Sequence, residues 1–446
     1  MTRSGVGPAP VWDRLKGLRQ RPVIAAASSL FGSTLITSLL GFAFWVVAAR
    51  LYAATSVGTA SAGLSAMQFL ATVGVLGLGT LVIGEVRQSE RGSGLIAAAT
   101  IVATAASMAA ALLYVVVAPL IHAHLGPLGQ GALGPLLFIC GVGLTGFTIV
   151  VDQACIGLLQ GAVQFWRNAV FAAVKLLLLP IGALMPSTNG ALLIYGAWAV
   201  GNVVSLLTLC LHARRVGLRP ALRPHWGSLR ALGGAALSHH WLNLSSAGPR
   251  LILPVLVTSI LGPAQNAAFY AALLVVNFAN IVPIHLSTAL FSLARGATDA
   301  LAIESRHTLR LSFIVAVVSG LLFLPTSRLI LSVMGRYYEV ATAAMMVLGL
   351  TTLPLLVKVH YVAVCRVRDV LKRCALVVTA GGILELVLAA VGGYLGGLVG
   401  VALGYLVALM IQALALWPTV ARAARLPVCL VGGRDRHRRG DRPSGS

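Results

Sequence analysis

Twelve long apolar stretches, with Lys and Arg clustered in every second gap between them, leave this chain little choice but to fold as membrane-crossing helices. The stretches run roughly over 23–49, 57–84, 94–121, 132–159, 167–186, 190–211, 233–261, 267–293, 309–331, 340–364, 373–394 and 398–418. Each offers about the 20 apolar residues that cross ~30 Å of hydrocarbon as a helix. Of the 33 Lys and Arg residues, 27 fall on one side: 5 in residues 1–22, then Arg87, Arg91, Arg167, Arg214, Arg215, Arg219, Arg223, Arg230, Arg295, Arg306, Arg310, Arg366, Arg368, Lys372 and Arg373, and 7 beyond residue 418. The opposite side holds Arg50, Arg328 and Arg336, so the positive-inside rule predicts a multi-pass protein of the cell membrane with both termini in the cytoplasm. Lys175, Arg250 and Lys358 remain, and they lie inside spans.

Composition excludes a soluble enzyme, because 58% of the residues are hydrophobic, 10% are charged and the mean hydropathy is +0.92. The formal charge of +22 is dispersed over short loops rather than gathered on a basic domain, so no nucleic-acid partner is expected. It predicts orientation and attraction to anionic membrane lipids instead. The densest basic run, Arg434 to Arg439, reads as a lipid-facing tail. Six cysteines show no paired spacing, which argues against a disulfide framework or a metal site. The first apolar stretch is long for a cleaved signal and is read as the first membrane helix. No P-loop, HExxH, DxD or nucleophile-elbow sequence occurs in any loop, and no cofactor is expected.

The longest gap, 212–231, divides the chain into a first lobe at 23–211 and a second at 232–420, flanked by a tail at 1–22 and a basic tail at 421–446. The halves repeat weakly at an offset near 209 residues: an apolar helix ending at Arg50, a polar turn and then Gly58 correspond to the segment through Ser259 to Ala267. With six spans in each half, both lobes start on the same side and their pseudo-axis runs along the membrane normal. The expected fold is therefore an all-α integral membrane protein, with twelve transmembrane helices in two six-helix lobes around a central cavity.

Five formal charges fall within spans: Asp152, Lys175, Arg250, Lys358 and Glu385. Each would cost about 2.5–3.5 kcal/mol at a helix centre, so all five are expected to face a wet cavity or one another. Arg250, between Gly248-Pro249 and Pro254, is the leading candidate for binding an anion. Lys175 and Glu385 match under the repeat and could meet across the cavity, as a static pair or as part of substrate or proton movement. Asp152 and Lys358 lie nearer the cytoplasmic ends of their spans, where Lys358 could snorkel to the interface. His285, two residues after Pro283, is a candidate titrating group or a satisfied interior histidine. Trp45 and Trp198 are expected to line the cavity or the outer aromatic belt.

Several stretches resemble the bacterial polysaccharide-lipid flippases of the multidrug/oligosaccharidyl-lipid/polysaccharide exporter superfamily. They are Gly41 through Arg50 to Gly58, Gly74 to Thr80, Gly157 to Gly161, Pro249-Arg250 through Gly262-Pro263 to Tyr270, and Gly396 to Gly404. The resemblance implies alternating access between two lobes. It implies a polyprenyl-diphosphate-linked oligosaccharide moved from the inner to the outer leaflet for cell-surface polysaccharide biosynthesis. Such a transporter carries basic cavity residues for the diphosphate, here Arg250, Lys175 and Arg50, and could work with other glycan-export proteins. The chain departs from the family's frequent Asp-Arg pair by placing Pro249 before Arg250. It also has no acidic residue in its first span, unlike the cation-coupled drug-export branch. The alternatives are a drug or metabolite exporter of the same fold and a membrane glycosyltransferase or polymerase; the latter would need a larger outer loop than any of these.

Overall fold

The computed structural model describes residues 22–86, 92–121, 131–158, 160–185, 189–215, 224–293 and 298–425. The basic lead through Arg21, Arg87 and Arg91, the connection 122–130, Arg219, Arg223, Arg295 and the run at 434–439 lie outside the described residues. Every regular element among the described residues is helical. In chain order these are α1 (Pro22–Leu51), α2 (Ala54–Gly74), α3 (Leu78–Glu85), α4 (Gly92–Ile121), α5 (Leu133–Gly157), α6 (Gly161–Ala183) and α7 (Gly190–Arg215). They continue as α8 (Trp226–Leu261), α9 (Pro263–Leu293), α10 (Thr298–Met334), a 3₁₀ turn (Arg336–Ala341), α11 (Thr342–Leu350), α12 (Thr352–Val367) and α13 (Leu371–Ala423).

Eight of these helices are long and apolar enough to cross a membrane, and a ninth forms if Arg336–Leu350 and Thr352–Val367, bent by 41°, count as one span. The outward faces are apolar too: Leu113, Leu177 and Leu414, within their helices, are each 65% exposed, a surface that suits lipid rather than water. Two of the apolar stretches are not single rods. The stretch at 57–84 breaks between α2 and α3, where Leu76 and Gly77 take φ of 51° and 75°, and the stretch at 340–364 bends at Thr351.

At 53 residues α13 would be about 80 Å long if straight, far more than a bilayer is thick. It is not straight. Gly397 adopts φ 57° and ψ −140°, a conformation only glycine takes without strain, and the limbs 371–395 and 398–423 fold back on each other. A Cβ on Gly392 would lie 2.0 Å from the Gly400 carbonyl oxygen, so the limbs touch backbone to backbone.

The largest core cluster draws on both halves of the sequence, including Phe44, Leu64, Phe138, Leu253, Phe269 and Leu409. The two halves meet chiefly where α2 packs on α8 and α9, with α1 reaching α9 and α10 and α3 and α4 reaching α8. Gly58 permits the closest approach, since a Cβ there would sit 1.7 Å from the Pro263 carbonyl oxygen. Asn266 Nδ2 fastens the same contact, donating to the Gly58 carbonyl at 2.9 Å and to Ser61 Oγ at 3.0 Å. Gly58→Ala must push α2 from α9, and overpacking of this kind costs about 1–3 kcal/mol. The expected result is a lower thermal unfolding midpoint of the purified protein; an unchanged midpoint would show that the helices do not meet here.

Candidate functional site

Arg250 projects from the middle of α8 in a segment whose helical ladder is deliberately incomplete. Pro254 has no N–H to offer the Arg250 carbonyl, and Pro249 likewise leaves the Ser245 carbonyl without its i+4 donor. The Pro249 ring is accommodated because Gly382 of α13 has no side chain; a Cβ there would lie 2.8 Å from Pro249 Cγ. Arg250 is exposed and makes no hydrogen bond or ion pair among the described residues. Its positive field reaches the phenols of Tyr270 on α9 and Tyr405 on α13. Tyr270 in turn packs edge-on against Trp45 of α1, with ring centroids 4.8 Å apart. Arg250 thus stands without a counter-charge among the described residues, on a helix that packs against α9 and α13.

Lys175 lies on the other side of the same α1 segment. Its ammonium sits 4.9 Å from the ring centroid of Phe44 and 4.5 Å from that of Phe171, and Phe44 packs edge-on against Trp45 at 5.3 Å. Contacts therefore run from Lys175 through Phe44 and Trp45 to Tyr270. Ring faces stabilise a cation by about 0.5–2 kcal/mol without neutralising it. Lys175 has no carboxylate partner among the described residues.

The intramembrane acids are both neutralised, and not by the partner expected for Glu385. Glu385 is 1% exposed and pairs with Lys358 of α12 at 2.6 Å, not with Lys175. Gln412, on the other limb of α13, donates to the same Glu385 Oε1 at 2.7 Å. Lys358 does not snorkel; it is 4% exposed and turned into the bundle. Asp152 of α5 receives a fork from Arg167 of α6, Nε to Oδ1 at 2.8 Å and Nη2 to Oδ2 at 2.6 Å. Arg167 also donates to Asn168 at 2.7 Å and approaches Asn202 and Ser205 of α7 at 3.4 Å. The assignment of Arg167 to a loop is therefore corrected: α6 begins at Gly161, and Arg167 is a buried residue one and a half turns inside it.

These two clusters are built to one plan with opposite polarity. In the first half the acid is on α5, the base on α6 and the amide, Asn202, on α7. In the second half the base is on α12, and the acid and the amide, Gln412, are on the two limbs of α13. Lys358 and Gln412 follow Asp152 and Asn202 by 206 and 210 residues, close to the repeat seen in the sequence. Asp152, Lys358 and Glu385 thus tie helices together, and of the five intramembrane charges Arg250 and Lys175 have no carboxylate partner among the described residues.

Arg50 takes a different place from the other two basic candidates. Its guanidinium donates to the carbonyls of Val333, at 2.8 Å, and Ser332, at 3.2 Å, and so caps the C-terminal turn of α10 from the end of α1. It joins the two halves on the Arg-poor face and is not brought to Arg250. His285 is half-buried on α9, about four helical turns from Tyr270, and has an interaction partner of its own. Among the described residues no three His, Cys, Asp or Glu side chains group as metal ligands. Trp198 is buried among Phe171 and Tyr195 and does not face an outer belt. Tyr405, Gln412 and Arg167 were not singled out from sequence. A polar side chain inside an apolar run was the available signal for each, although nothing in the run shows which helix face carries it.

No protein-family model matches the sequence, and no curated protein matches it. Solved structures do. An inward-facing multidrug-resistance MATE transporter of the MOP superfamily aligns with a TM-score of 0.65 and 13% identity, over 87% of this chain and 96% of its own. An outward-facing MATE transporter aligns at 0.63 and 13%, over 92% and 97%. A MOP superfamily transporter from Pyrococcus furiosus Vc1, described as having a binding pocket of reverse polarity, gives the same values. The chain therefore has the fold of the multidrug/oligosaccharidyl-lipid/polysaccharide exporter superfamily.

Proposed function

We propose that this chain is a transporter that flips a polyprenyl-diphosphate-linked oligosaccharide from the cytoplasmic to the outer leaflet of the cell membrane. In this reading it has twelve spans in two lobes: α1, α2 with α3, α4 to α7, then α8 to α10, α11 with α12, and the two limbs of α13. The alternating sides of its basic loops place both termini in the cytoplasm. The observation that carries the reading is the charge left over in the interior. Asp152 cancels Arg167 and Glu385 cancels Lys358, while Arg250 and Lys175 keep no acidic partner among the described residues. Two interior cations are thus left over, Lys175 on the rings of Phe44 and Phe171 and Arg250 on α8.

A diphosphate suits such a site, because an arginine fork and an ammonium hold phosphate oxygens strongly where water is scarce. A cationic drug is repelled by the same two charges. The superfamily fold also serves multidrug transporters, so export of an anionic metabolite is the second reading. The discriminating experiment deletes the gene and follows both phenotypes. Accumulation of lipid-linked glycan on the cytoplasmic leaflet, with drug tolerance unchanged, is expected. Intact surface glycan with altered drug sensitivity would overturn the flippase reading.

A further inference from the structure

Away from the Arg250 site, a groove of about 630 Å³ opens between the start of α6 and the end of α7. Its volume lies within the ~300–1,000 Å³ of small-molecule pockets. Among the described residues it is lined by α6 and α7, whereas Arg250 lies on α8. Its walls are apolar, with Val163, Val170 and Leu209. Its polar edge carries Trp166, 66% exposed, with His212 and Arg215 from the last turn of α7. Neither His212 nor Arg215 has a hydrogen-bond or ion-pair partner among the described residues. Arg167 also lines the groove, but its charge is taken up by Asp152. Among the described residues no acidic side chain lines it.

We propose that this groove binds one anionic phospholipid from the leaflet on the Arg-rich face. The phosphate lies against Arg215 and His212, an acyl chain runs along Val163, Val170 and Leu209, and the Trp166 indole sits at headgroup level. Two observations converge on that occupant. The apolar walls and exposed indole match the boundary between acyl chains and headgroups. Two unpartnered basic side chains at one end demand an anion. The proposal depends on embedding in a membrane and not on what the Arg250 site transports.

The test measures the thermal unfolding midpoint of the purified full chain in detergent. Three titrations are run: phosphatidylglycerol, phosphatidylcholine with the same acyl chains, and inorganic phosphate. A saturable rise with phosphatidylglycerol alone is expected. Arg215→Gln should weaken the apparent affinity about fivefold, the factor carried by one basic residue at an anionic lipid surface, and His212→Gln in addition should weaken it further. Arg214→Gln is the control, because Arg214 shares the last turn of α7 and its helix dipole but does not line the groove. It should leave the affinity unchanged, and Arg215→Lys, which keeps the charge, should retain most of it even if Arg215→Gln folds poorly. An equal response to phosphatidylcholine, an equal response to free phosphate, or equal losses in the Arg214 and Arg215 variants would overturn the proposal.

Discussion

Arg250→Ala is expected to abolish glycan export while leaving the protein in the membrane at its normal level. These two outcomes separate because Arg250 has no partner among the described residues to lose. Its charge stabilises nothing in the fold and costs about 2.5–3.5 kcal/mol to place within a span. Alanine at this position should therefore be neutral or mildly stabilising in a thermal unfolding assay. For an anionic substrate the loss is large, since a hydrogen bond to a charged group is worth about 1.5–3 kcal/mol, on the order of 10- to 100-fold in affinity. Arg250→Lys keeps the charge without the fork and should recover part of the activity. Measured together, export, membrane level and unfolding midpoint decide the matter: wild-type export in the alanine variant would remove the anion site, and loss of the protein would make Arg250 structural.

The opposite pattern is expected at Lys358 and Glu385. Either residue changed alone to alanine strands a charge that is almost wholly buried, and breaking a buried pair in this way costs about 3–5 kcal/mol. Gln412 cannot replace Lys358, because it already donates to Glu385 and carries no charge to offset it. Both single variants should unfold at markedly lower temperature and lose membrane level and export together. Replacing the two at once, Lys358→Met with Glu385→Leu, removes the stranded charge and should restore most of the stability. A double variant as unstable as either single one would show that the pair is not the source of the effect. A stable double variant that exports normally would limit the pair to holding α12 against α13. The first half carries the same tie with its charges exchanged. An exchanged pair, Lys358→Glu with Glu385→Lys, is thus a further arrangement the fold already tolerates elsewhere.

The membrane spans were legible because a long apolar run has no alternative in lipid, and the basic loops because only they carry repeated Arg. The break at Leu76–Gly77 and the bend at Thr351 were not legible, since neither interrupts the apolar run that contains it. Gly396 and Gly397 did announce the turn between the last two spans. Arg250 was legible because two prolines and a charge in one span have no simple structural reason to coincide. Glu385 was placed with Lys175 by matched position in the repeat, and it pairs instead with Lys358. Depth along a helix can be counted from residue number, but which of several helices a side chain faces depends on how each is rotated. Arg167 shows the same limit at a boundary: the mixed run from Gly161 to Trp166 hides a helix start, and burial of Arg167 is tolerable only because Asp152 waits for it on α5.

By itself the sequence determined that the chain is helical, that it lies in a membrane, and which few charges its topology leaves unexplained, because all of these follow from local hydropathy and counting. Only the tertiary structure decided which of those charges cancel. Pairing is set over a few ångströms by the rotation and packing of helices far apart in the chain, and that geometry ties up both intramembrane acids and leaves Arg250 and Lys175 without a carboxylate partner among the described residues.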